Sequence, residues 1–177
     1  MSILARATVT AGLMFVSLGL PATATPTLED FPDTPFLMQS VAFKQCATIG
    51  PWQTLQKKYQ IIGTACDGNQ SNQQWSYDRS TRHIVSQDEK YPDMCVVAHG
   101  GQLMLDKCDN SLPFPAENQQ WGVKLIDAIE SDYDVPCVTT KDEQYMTPNP
   151  DNFWNTGTAE GTHSYPSKDN VISFLSF

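Results

Sequence analysis

The 177-residue chain is short of positive charge and of long apolar runs, and its cysteines are odd in number. Only 11 Lys and Arg stand against 20 Asp and Glu, a formal net charge of −9, and no basic run exceeds Lys57-Lys58. Such a surface repels a phosphate backbone unless its cations cluster, which excludes nucleic acid as a partner. Beyond the N-terminal stretch no segment approaches the roughly 20 apolar residues that cross a bilayer, so no transmembrane segment is expected. Phosphate-cradling glycine loops, the Gly-x-Ser-x-Gly turn and EF-hand spacing are all missing. His83, His99 and His163 stand far apart, so nothing marks a catalytic residue, and the chain reads as a non-enzyme. Without Cys-x-x-Cys or a Cys/His cluster at ligand spacing, neither a metal nor another cofactor is expected.

What is present begins with a leader. Arg6, the apolar run Ala11–Leu20 and the small-x-small site Ala22-Thr23-Ala24 have the anatomy of a secretory signal, so residues 1–24 are expected to be cleaved and the product secreted. The remainder, roughly 150 residues, is the size of one domain. Residues 25–35 carry Pro26, Pro32 and Pro35 among acidic side chains and read as an extended N-terminal arm. The compact domain is expected over 36–177. All five cysteines lie in the exported part, where an oxidising compartment pairs most of them and leaves one over.

Apolar residues come in short bursts, such as His83-Ile84-Val85, Cys95-Val96-Val97 and Leu103-Met104-Leu105, separated by Gly, Asn, Asp and Pro. This pattern predicts an all-β domain of short strands. Gly122–Ile129 has mixed spacing that suits a helix or a strand equally. The acidic residues between Asp127 and Glu143 read as a solvated face.

The chain also repeats itself. Asn72-Gln73-Gln74-Trp75 recurs as Asn118-Gln119-Gln120-Trp121, and each copy follows two cysteines, Cys46 and Cys66 or Cys95 and Cys108, the second of each followed by aspartate (Asp67, Asp109). A fainter third unit has Cys137-Val138-Thr139-Thr140 echoing Cys95-Val96-Val97-Ala98, with Trp154 standing where a third tryptophan of the motif belongs. Three imperfect units in one small domain imply pseudo-threefold symmetry.

With these features the sequence resembles the ricin B-type (Gln-x-Trp) lectin family over about Lys44–Trp154. The resemblance implies a β-trefoil with a shortened or divergent third repeat, in which Trp75, Trp121 and Trp154 fill the core and Gln73 and Gln119 anchor them. It implies a disulfide within each of the first two repeats, Cys46 with Cys66 and Cys95 with Cys108. The short interval in the second can be bridged only if Gly100-Gly101 makes a tight hairpin. Cys137 is then left as a buried small side chain or a link to a partner chain, with rearranged pairing as the third alternative.

Sugar binding in that family uses an aspartate two residues after the first cysteine, an aromatic two before the second, and the asparagine that opens the Gln-x-Trp motif. Here the aspartate positions hold Thr48, Val97 and Thr139, and the aromatic positions hold Thr64 and Asp106; Asn72 and Asn118 remain. Replacement pockets are expected from Trp52, Asp67 and Asn72 in the first repeat and from His99, Asp106, Asp109 and Asn118 in the second, through amide and carboxylate hydrogen bonds and a ring face. The expected partners are glycans or glycoproteins. The alternative is a non-catalytic subunit of a multi-component toxin, similar to the trefoil binding subunits of cytolethal distending toxins, with the trefoil surface turned to protein contacts.

Overall fold

A computed structural model describes residues 31–111, 115–126, 135–149, 151–158 and 170–177. The expected leader and most of the expected arm, residues 25–30, lie outside the described residues, as does most of the acidic stretch after Asp127.

Three lobes of four strands follow one another. Lobe one holds β1 (Leu37–Ser40), β2 (Gln45–Gln53), β3 (Lys58–Ala65) and β4 (Trp75–Asp78). Lobe two holds β5 (His83–Ser86), β6 (Met94–His99), β7 (Gln102–Lys107) and β8 (Trp121–Ile126). Lobe three holds β9 (Val135–Thr140), β10 (Gln144–Pro148), β11 (Trp154–Thr158) and β12 (Ile172–Leu175). Of the segment that suited helix or strand, residues 122–126 form a strand, because Trp121–Ile126 pairs along its length with Thr140–Val135, and residues 127–129 lie outside the described residues.

Six strands form a closed barrel. Neighbouring lobes are joined by the pairs β4–β5, β8–β9 and β12–β1. Within lobes the ring is closed by the Phe36–Trp75 bridge, the Trp121 N–H donating to Arg82 O at 2.8 Å, and the Cys137–Val171 bridge. The other six strands are three hairpins that meet in a triangular cap through Tyr59–Leu105, Gln102–Asn155 and Ile62–Phe153. This is a β-trefoil. The cap hairpin of lobe two turns on Gly100 and Gly101, both at positive φ (59° and 78°). Such a two-residue turn matches the strand twist, and it brings Cys95 and Cys108 within bonding reach.

The core lies between barrel and cap, and Trp75, Trp121, Trp154, Ile61, Leu103 and Met146 are fully buried in it. Phe31 belongs there too, 1% exposed and stacked on Tyr77 at 4.0 Å between ring centroids. The expected start of the compact part at Phe36 is corrected accordingly: polar and proline-rich neighbours do not keep an aromatic ring from the core when a ring partner is in reach.

Strand register sets the three lobes in phase. Trp75, Trp121 and Ile172 pair with Ser86, Thr140 and Ser40, so these three open the last strand of each lobe. Gln39–Cys46, Val85–Cys95 and Thr139–Tyr145 are likewise equivalent, which puts Tyr145 at the position of the first cysteine. Two expectations for the third unit are corrected. Cys137 matches Leu37 and His83, not Cys46 and Cys95. Trp154 is buried as expected but lies on β11, where it matches Ile61 and Leu103. Lobe three therefore keeps all four strands and exchanges large for small: Ile172 replaces the barrel tryptophan, and Trp154 replaces a cap aliphatic. Total core volume tolerates that exchange.

Both expected disulfides are formed, Cys46–Cys66 and Cys95–Cys108, at sequence separations of 20 and 13. Cys137 is a free, buried thiol.

Candidate functional site

The Asn-Gln-Gln-Trp motifs act as clamps. Each begins on a short 3-10 turn, Ser71–Gln73 or Glu117–Gln119, that leads into the last strand of its lobe. Gln73 accepts the Asp67 N–H at 2.9 Å and donates to Ala65 O at 2.9 Å, while Gln119 accepts the Asp109 N–H at 2.8 Å and donates to Lys107 O at 3.1 Å. Each glutamine thus grips the backbone on both sides of the second cysteine. The indole N–H of Trp75 donates to Ala47 O (3.1 Å) and that of Trp121 to Val96 O (2.8 Å), in each case the residue after the first cysteine. In lobe three Asn170 stands in register with the glutamines and donates to Met146 O at 3.4 Å, the residue after Tyr145. The indole nitrogen of Trp154 has no hydrogen-bond partner.

The positions at which the resemblance leads one to expect sugar contacts are engaged internally. Thr48 and Thr64 hydrogen-bond one another at 2.7 Å, and Gln73 donates to Thr64 Oγ1 at 2.8 Å. Asp106 is held by Lys58 of lobe one through a 2.5 Å ion pair. With lobe three in phase, its aspartate position is Thr147, not Thr139, and its aromatic position is Gly157, which pairs with Tyr145. None of these offers an acid free for a hydroxyl pair.

The two expected replacement pockets are only partly assembled. Asp67 turns its carboxylate to Asn69 N–H (3.0 Å) and Gln70 (3.3 Å), and Asp109 turns to Ser111 N–H (3.0 Å) and Ala116 N–H (2.9 Å). The Asn69 backbone bond holds the Asp67 carboxyl below its usual pKa, and the Ser111 side chain does the same for Asp109. Both are turn formers. Asn118 donates to Ala98 O at 3.1 Å and so lies beside exposed His99 at the hairpin tip, whereas Asp106 and Asp109 sit at the opposite end of that hairpin. Asn72 is half-buried on its turn. Trp52 is far from Asp67 and Asn72, since β3 runs roughly 20 Å between Tyr59, its pairing partner, and Ala65.

Trp52 instead heads an aromatic ladder. It is 50% exposed and packs edge-on against Tyr59, centroids 5.0 Å apart; Tyr59 in turn packs edge-on against Tyr91 of lobe two at 4.8 Å. Gln53 donates to Gln60 at 2.9 Å in the same hairpin. Tyr59 and Tyr91 were not among the expected site residues; the hairpin register that pairs Trp52 with Tyr59 was the available signal, while Tyr91 arrives through tertiary packing. An opening of about 350 Å³ is lined by Tyr77, Arg79, Arg82, Trp121, Gly122 and Val123. Its Arg79 is forked onto Asp33 at 2.8 and 3.1 Å. Among the described residues the one group with metal-ligand proximity is His83, Cys95 and Cys108, whose sulfurs are joined in the disulfide.

Comparison with known proteins bears on this geometry. The ricin-type beta-trefoil lectin domain family matches residues 35–156. The chain is similar in structure to the mdaA-1 domain in solution (TM-score 0.57, 10% identity, 83% of this chain and 92% of that one). It is also similar to SeviL bound to asialo-GM1 saccharide (TM-score 0.50, 11% identity, 81% and 98%). At those identities the likeness is one of fold. No curated protein matches the sequence.

Proposed function

Because the chain belongs to the ricin-type β-trefoil lectin domain family, we propose that it is a carbohydrate-binding protein without catalysis of its own, whose glycan platform is the Trp52 tip of lobe one. The observation that carries this is the half-exposed indole of Trp52, held by Tyr59 and Tyr91 behind it. A ring fixed at its edge keeps a face for the apolar C–H side of a sugar at small ordering cost. Asn118 and His99 at the lobe-two tip offer a second, polar contact. One platform with few hydrogen bonds gives weak monosaccharide binding, so useful affinity comes from several contacts on one glycan surface. The proposal includes export through the leader, which supplies the oxidising compartment that disulfides require.

A glycan array probed with the labelled chain, its Trp52→Ala variant and its Asn118→Ala variant tests the reading. Binding to a coherent glycan class that Trp52→Ala loses supports the platform. Binding that survives Trp52→Ala but not Asn118→Ala moves the site to lobe two. Silence from folded wild type favours the second reading, a binding or delivery subunit of a multi-component toxin. Leu55, 93% exposed on the turn beside Trp52, favours that reading because an aliphatic tip suits protein contact.

A further inference from the structure

Leu37, His83 and Cys137 occupy the same register position in lobes one, two and three, three residues before Ser40, Ser86 and Thr140. Lobe one fills it with an aliphatic side chain; lobe two fills it with an imidazole. His83 is 1% exposed and its Nε2 has no hydrogen-bond partner. A buried polar nitrogen without a partner costs stability, and lobe one shows that leucine suits the position. One ring nitrogen of His83 and the sulfurs of Cys95 and Cys108 all lie within 4.8 Å of one another.

We propose that lobe two carries a redox-gated zinc site: once a dithiol reductant opens Cys95–Cys108, the two sulfurs and His83 bind one Zn²⁺ and leave the fourth position to water. Cys108 is half-buried and Cys95 fully buried, so the thiolate of the reductant attacks Cys108 Sγ and Cys95 departs. The second thiol of the reductant resolves the mixed disulfide and leaves as its own disulfide, having given the protein two electrons and two protons. Zn²⁺ then displaces the two thiol protons to solvent and forms two Zn–S bonds and one Zn–N bond, with no redox change at the metal. The Cys46–Cys66 pair has Leu37 at the matching position and lacks the third ligand. The ligands come from β5, β6 and the residue after β7, so no sequence spacing announces them.

The full chain, partly reduced by a phosphine without air, is titrated with Co²⁺ and with Zn²⁺ against a chromophoric chelator. The expected result is one metal per chain with thiolate-to-cobalt charge-transfer absorption. Zinc should also shield Cys95 and Cys108, but not Cys46 and Cys66, from iodoacetamide in peptide mass mapping. His83→Leu, which installs the lobe-one residue, is expected to abolish stoichiometric uptake. No uptake by reduced wild type, equal shielding of both cysteine pairs, or uptake by a folded His83→Leu chain as tight as wild type would each overturn the site. Should His83→Leu not fold, the wild-type shielding pattern decides alone.

Discussion

The ring of Tyr145 lies on Gly157: a Cβ at Gly157 would stand 2.9 Å from Cε2 and Cζ of the tyrosine. The two residues pair across β10 and β11 at the position where Cys46 and Cys95 face Thr64 and Asp106. Lobe three thus secures with an aromatic ring on bare backbone the place that lobes one and two secure with sulfur. Gly157→Val is expected to cost about 1–3 kcal/mol in urea unfolding, the usual penalty for overpacking. Gly122→Ala, with nothing within 4 Å of the added carbon, is the control and should stay within about 0.5 kcal/mol of wild type.

The three buried tryptophans should separate into two kinds. Truncation to alanine is expected to cost about 3–5 kcal/mol at Trp75, Trp121 and Trp154 alike. Replacement by phenylalanine should discriminate, because Trp75 and Trp121 each lose a buried hydrogen bond of about 1 kcal/mol, whereas Trp154 has none to lose. Equal losses at all three positions in chemical unfolding would contradict this division.

Lobes one and two were largely legible in the sequence, whereas the separation of Trp154 from Trp75 and Trp121 was not. Two copies of Asn-Gln-Gln-Trp behind cysteine pairs identified two lobes, their disulfides and their clamps, because a hydrogen-bonded clamp needs specific side chains. Lobe three held neither clamp nor disulfide in recognisable form. Hydrophobic packing accepts Ile172 for tryptophan and Trp154 for leucine, so Cys137 and Trp154 suggested a register that pairing between strands overrules. The internal partners of the expected sugar residues were hidden for a similar reason. Asp67, Asp109 and Asn118 were expected to line sugar pockets, but a backbone amide or carbonyl already engages each of them, and sequence alone does not show which partner wins.

Cys137 should behave as an inert thiol. Burial pushes its pKa up to about 11, which leaves almost no thiolate at pH 8. Iodoacetamide is expected to leave the native chain unlabelled at that pH and to label one cysteine once denaturant is added. Labelling of the native chain would show that the β9 strand opens.

Acid should destabilise the fold in two stages. His83 has its folded pKa lowered from an ordinary 6.5, so as pH falls below 6.5 the unfolded chain takes up a proton that the folded chain refuses. Stability then declines between that value and the depressed one, and His83→Leu should flatten the decline. Asp78, held down first by its bond from Ser80, with Asp67 and Asp109, adds a second loss as pH falls through and below the usual carboxylate range. Urea midpoints of wild type and His83→Leu from pH 7.5 to about 3 would resolve both stages.

The pairing of β1 with β12 makes the barrel a ring whose closing link joins the first of the described strands to the twelfth. Residues at opposite ends of the described chain, Leu37 and Leu175, must find one another before the ring is whole, so sequence-distant contacts set the pace and folding should be slow for a domain of this size. On a ribosome the first two lobes can only wait as an open arc, with the edges of β1 and β8 unpaired and exposed to neighbouring chains. Because β1 and β12 lie side by side, a circular permutant of residues 31–177, joined by a short linker and opened between Gly100 and Gly101, should retain the fold while moving that waiting period to a different seam.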